Sequence, residues 1–121
     1  MSVKLSDQQF EFGRDVVLLL LFLQRNGIKY SIGECWRRRE LQKALKEKGW
    51  SNTEEGGHQD KLAIDIFMWI DGIFIGYTWE NRDRLLFVGN FWKSLNPLNV
   101  WGGDWCINEK PDLVHFERKR I

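Results

Sequence analysis

The stretch "KLAIDIFMWIDGIFIGY" (Lys61 to Tyr77) constrains the fold of this chain more than any other. Leu62 to Ile70 is an apolar run suited to a strand. Asp71-Gly72 is a two-residue turn, and Ile73 to Tyr77 pairs back. An Asp-Gly pair between such runs is a strong hairpin signal, because the turn it favours needs positive φ at both residues. The chain is therefore committed to antiparallel pairing. The same stretch contains an anomaly, since Asp65 sits inside the apolar run. A carboxylate on a buried strand is costly unless it has a partner. The partner can be an arginine, with Arg37 the natural choice. It can be a set of backbone N–H groups, or a cation held jointly with histidines.

The rest of the chain supplies helices around that hairpin. Ser6 is placed to cap a first helix and Gly27 to close it after Asn26. Its second half, "VVLLLLFL" (Val16 to Leu23), is apolar almost all round, which predicts a central core helix. Eight apolar residues fall short of the roughly 20 that span a bilayer. Acidic and basic residues before the run argue against a signal peptide. No membrane span and no export signal are expected, so synthesis in the cytoplasm is the expectation. "YSIGECW" (Tyr30 to Trp36) reads as a short strand or extended segment. A second helix is predicted from about Arg38 to Lys48, ended by Gly49 and followed by a polar loop, Trp50 to Gly57.

Thr78 is placed to cap a third helix with Leu85, Val88, Trp92 and Leu95 on one face, stopped at Asn96-Pro97. "NVWGGDW" reads as a loop, and Leu113 to Arg118 alternates as a terminal strand. The predicted order is α-β-α-β-β-α-β. It implies an α+β fold, with helices packed on a small, mostly antiparallel sheet. At 121 residues the chain is expected to form one domain over residues 1–121, and to be a monomer.

Net charge is +1, so nothing electrostatic points to nucleic acid. Arg37-Arg38-Arg39 and Arg118-Lys119-Arg120 read as solvated surface charge. Cys35 and Cys106 match no close metal-binding pair and make no disulfide framework. Seven tryptophans are many for this length, and core packing is their first explanation, ahead of a sugar-binding groove.

The chain has two histidines, His58 and His115. Taken singly, either fits ordinary packing. Together with Asp65 they make two histidines and one carboxylate, a common three-ligand set for catalytic zinc that leaves a fourth position for water. Alternation places Ala63, Asp65 and Phe67 on one face of their strand. On the last strand it places His115 with Leu113 and Glu117, opposite Val114 and Phe116. Asp112, three residues before His115, can approach a metal without ligating it. A carboxylate in that position suits the general base of a metallopeptidase. Without a metal, a tryptophan-lined sugar binder would leave Asp65 unexplained.

Several segments resemble a known family. "GGHQDKLAIDIF" is similar to the S-x-H-x-x-G-x-A-x-D signature of the zinc D-alanyl-D-alanine carboxypeptidase and L-alanyl-D-glutamate peptidase family. That family includes phage endolysins and shares its fold with the hedgehog signalling domain. "KLAIDIFMWIDGIFI", "GECWR", "FWKSL", "WGGDW" and "DLVHFE" resemble its phage and prophage subset, in the right order from about Ser31 to Glu117. Gly56, Lys61 and Arg38 depart from the pattern, where serine, glycine and serine or threonine are usual.

The resemblance implies a hedgehog/DD-peptidase-like fold and Zn2+ held by His58, Asp65 and His115. It implies Asp112 as the catalytic base, and Arg37 as the group that holds a substrate carboxylate or polarises the scissile carbonyl. Glu117 is either the partner of a ligand histidine or a solvent-facing acid. Trp101 and Trp105 with Gly102 and Gly103 are placed to shape a cleft wall, with core packing the competing role and favoured for Trp105. Asp104 reads as a turn residue. The implied activity is hydrolysis of peptidoglycan peptides, as expected of an endolysin acting on the wall after release. The alternative is a non-catalytic phage structural or wall-binding module that retains the fold.

Overall fold

A computed structural model describes residues 3–35, 60–106 and 108–121. The predicted second helix, Arg37 and His58 lie outside the described residues. In chain order the elements are α1 (Leu5–Arg25), β1 (Lys29–Ile32), β2 (Ala63–Ile70), β3 (Ile73–Phe74), α2 (Trp79–Arg84), α3 (Leu86–Leu95), β4 (Asn99–Trp101), a short 3-10 helix (Gly102–Asp104) and β5 (His115–Arg118). The sheet order is β1-β2-β5-β4, with β3 paired to β2, and every pairing is antiparallel. The α+β class expected from the sequence is what the chain forms.

The hairpin is where its sequence puts it. Asp71 and Gly72 both have positive φ, 52° and 77°, and Ile70 pairs with Ile73. β3 is shorter than predicted. Ile75 still donates to the Met68 carbonyl (2.9 Å), after which the chain leaves the ladder, so Tyr77 is not a strand residue.

One face of the sheet carries the core. Ile64, Ile66 and Met68 of β2 are buried with Phe116 of β5 and Trp101 of β4. Trp92 of α3 joins the layers. Its ring meets Phe12 of α1 edge-on at 5.7 Å and Phe116 at 5.9 Å, and its indole N–H donates to the Val100 carbonyl at 2.9 Å. That hydrogen bond meets the demand of a polar atom in the core.

α1 differs from expectation at its start and in its packing. Its N-cap is Lys4, without a side-chain hydrogen bond, and Ser6 is already helical. The end is as expected: Gly27 has φ 69°, and the Ile28 amide closes onto the Leu23 carbonyl at 2.9 Å. The second half is not enclosed. Leu19 and Leu23 are buried, but Val17, Leu18 and Leu21 are exposed, Val17 at 57%. One stripe is enough to cover the sheet, and an all-apolar helix does not reveal which stripe is used.

The predicted third helix is interrupted at Leu85, giving α2 and α3. Thr78 caps α2 through the Asn81 amide (3.1 Å), and Leu85, Val88 and Trp92 are buried as predicted. "NVWGGDW" is not all loop, since Asn99–Trp101 forms β4 against β5. Three residues are too few to show a strand period. β5 starts at His115, not Leu113, so alternation does not reach Leu113, which joins the core.

Arg118 is a further correction. It is only 2% exposed, not a solvated surface charge. Its guanidinium pairs with Asp15 and Glu11 (3.0 Å) of α1 and donates to the Asn99 side chain (3.1 Å). A buried guanidinium is tolerated only with such a complete set of partners. Among the described residues, no helix is long and apolar enough to cross a membrane.

Candidate functional site

β2 and β5 build the site on the sheet face opposite the core. Asp65 and His115 are register partners in the ladder, so their side chains rise on the same face. Asp65 Oδ1 lies 3.5 Å from His115 Nδ1. Two residues on, Glu117 shares that face, and its Oε1 lies 2.9 Å from His115 Nε2. The imidazole is thus set between two carboxylates and is buried.

This environment controls the charge of His115. Burial pushes its pKa down. The Asp65 and Glu117 interactions and the Asp112 and Glu117 charges outweigh burial and lift it to about 9. Without a competing cation, His115 is an imidazolium at neutral pH.

Asp112 reaches the same place through a tight turn. The His115 amide donates to the Asp112 carbonyl (3.2 Å), and the Asp112 amide donates to the Gly102 carbonyl (3.0 Å). The three-residue spacing from Asp112 to His115 is therefore that of a β-turn. Gly102 is what lets the turn close. A Cβ there would run into the Asp112 carbonyl oxygen and lie 2.8 Å from His115 Cβ. Gly33 plays the same part beside Asp65. Its amide donates to the Asp65 carbonyl (2.7 Å), and a Cβ there would lie 3.2 Å from Asp65 Cβ and 2.7 Å from the Phe67 ring. The Asp65 amide in turn donates to the Glu34 carbonyl (2.9 Å).

The two tryptophans exchange the roles expected of them. Trp101 is fully buried and donates to the Leu113 carbonyl (3.0 Å), so it is core. Trp105 is half-buried, with its ring centroid 4.8 Å from that of His115, and it walls the site. Asp104 is structural. It accepts from Arg82 (2.9 Å) and Lys93 (2.7 Å). Burial raises the Asp104 pKa, but these two partners overcome that and hold its carboxyl below the usual range. Cys35 and Cys106 are free thiols.

Sequence reasoning missed Tyr77. Burial, then the charges of Asp112 and Asp65, push its phenol above its usual pKa. Nothing in its local sequence signals this, since it precedes a helix cap far from either aspartate in the chain.

Lys61 fills the position where the resembled signature has glycine. Its φ is 56°, in the left-handed region that glycine adopts without strain.

Asp65 and His115, two of the three expected zinc ligands, face each other across the ladder. A metal-ligating histidine needs one ring nitrogen with a free lone pair and the other N–H held by an acceptor, often a carboxylate. Glu117 at Nε2 supplies that acceptor, and Nδ1 then faces Asp65. Among the described residues, no group of three or more His, Cys, Asp or Glu side chains is placed to hold a metal. The third expected ligand, His58, lies outside them.

The fold has a solved counterpart. The L-Ala D-Glu endopeptidase ChiX of Serratia marcescens superposes with a TM-score of 0.63, over 98% of this chain and 89% of that one, at 18% sequence identity. The chain has this endopeptidase's fold. No family model matches the sequence, and no curated protein matches it significantly.

Proposed function

We propose that this chain is a zinc-dependent peptidase acting on peptidoglycan stem peptides or cross-links, as an L-Ala-D-Glu endopeptidase or a D-alanyl-D-alanine carboxypeptidase. The observation that carries the reading is His115, aligned with Asp65 across the ladder, held by Glu117 at its other nitrogen and flanked by Asp112. The fold shared with an L-Ala D-Glu endopeptidase supports it.

Asp65 and His115 would hold zinc together with His58. When bound, zinc supplies a Lewis acid that acidifies water and polarises a carbonyl. Glu117 keeps the His115 ring oriented and its Nε2 protonated, which leaves Nδ1 as the ligating atom. Asp112 accepts a proton from the attacking water and returns it to the leaving amine. Arg37 holds a substrate carboxylate or polarises the scissile carbonyl. Trp105 lines the cleft beside His115. The resemblance to the phage subset makes an endolysin the proposed setting, with synthesis in the cytoplasm and action on the wall after release.

Metal analysis tests the reading. Purified protein should carry about one zinc per chain, in line with a single three-ligand site, and His58→Ala should lose it. Protein that binds no zinc, or whose stability is indifferent to chelation, contradicts it.

A further inference from the structure

The site face of β2 continues beyond Asp65. Alternation along the strand puts Phe67 and Trp69 on the face that carries Asp65, opposite Ile64, Ile66 and Met68 of the core. Trp69 is the register partner of Phe74 on β3, so Phe74 joins the same face. Phe67 and Trp69 are half-buried, and Phe74 is 41% exposed. Core packing accounts for Trp92 and Trp101, which are fully buried, but not for Trp69.

The three rings form a continuous row. The Phe74 centroid lies 6.4 Å from that of Phe67 and 5.4 Å from that of Trp69. At a rise of about 3.3 Å per residue, Phe67 stands about 7 Å and Trp69 about 13 Å from Asp65 along the strand. β1 gives the row a polar border. Ser31 is the register partner of Phe67 and Lys29 that of Trp69, and both are exposed. Ring faces beside hydrogen-bonding groups suit a pyranose. Its C–H groups meet the negative faces of the rings, and its hydroxyls need polar partners. A wholly apolar partner would instead have to strip water from Ser31 and Lys29.

We propose that Phe67, Trp69 and Phe74 bind the amino sugar that carries the stem peptide, so that the chain prefers peptides still attached to their glycan. The inference rests on the peptidase reading above. The stem peptide begins with L-Ala, joined to the sugar through a lactyl group. One residue and one short linker therefore separate an L-Ala-D-Glu bond from the sugar. At about 3.5 Å each they span about 7 Å, which is the separation of Phe67 from Asp65 along β2.

The test uses two soluble substrates, the complete stem peptide free and the same peptide linked to its disaccharide. Zinc-loaded wild type should cleave the linked peptide with a kcat/KM about tenfold higher, as stacking on aromatic rings provides, and the difference should lie in KM. Phe74→Leu and Trp69→Ala should bring the ratio of the two kcat/KM values towards one. Phe74→Tyr, which keeps the ring, should retain it. Equal kcat/KM values of wild type on both substrates overturn the inference and leave the peptidase reading standing. So does a wild-type ratio that survives in both Phe74→Leu and Trp69→Ala, even where both substrates slow equally, which marks a structural role. A zinc-loaded wild type that cleaves neither substrate overturns the peptidase reading, and this inference with it.

Discussion

His115 is held from both sides, with Asp65 at 3.5 Å from Nδ1 and Glu117 at 2.9 Å from Nε2. The two contacts have different duties. Asp65 faces the nitrogen that would meet a metal, whereas Glu117 fixes the ring. Glu117→Ala should therefore lower zinc affinity by about 10- to 100-fold without unfolding the protein. Competition against a chromophoric chelator measures this. Unchanged affinity would return Glu117 to the role of a solvent-facing acid.

The raised His115 pKa makes the metal-free protein sensitive to pH. Its folded value is about 9, above the ordinary 6.5. The bonus from the protonated form is thus fully present below pH 6.5 and is lost as pH rises through about 9. Denaturation midpoints of the chelated protein should fall across that window, and His115→Gln should flatten the dependence. Zinc binding at neutral pH must displace the Nδ1 proton. Calorimetry in buffers of different ionisation enthalpy should then show proton release on loading.

Gly102 tests the close approach on which the Asp112 turn depends. Gly102→Ala forces a Cβ against the Asp112 carbonyl and His115 Cβ. It should cost about 1–3 kcal/mol, as overpacking does, and lower activity by displacing Asp112. Gly13→Ala is the contrast. Gly13 lies in α1 with nothing within 4 Å of an added Cβ, and the change should stabilise by up to about 1 kcal/mol. Equal denaturation midpoints for the two variants would remove the argument for Gly102.

Much of this arrangement was legible in the sequence because it follows local rules. The Asp71-Gly72 turn, the buried face Leu85-Val88-Trp92 and the alternation along β2 each need only a short window. Asp65 stood out because a carboxylate within an apolar strand demands a partner. That it meets His115 is what the family resemblance implied, but the β2–β5 register that aligns them was not legible, because it joins segments far apart in the chain and depends on the whole sheet. The same holds for Trp101 and Trp105, which differ only in which side of the chain faces the core. Arg118 looked like a surface charge because its partners Glu11 and Asp15 lie at the other end of the sequence.

The most direct test is mass spectrometry of peptidoglycan fragments after digestion by the zinc-loaded protein, with Asp112→Asn as the control. The account predicts fragments cut within the stem peptide or cross-link by wild type. It predicts none from Asp112→Asn, which should still bind zinc. An Asp112→Asn protein as active as wild type would contradict the assignment of the base. Intact peptidoglycan after treatment with zinc-loaded wild type would contradict the peptidase itself.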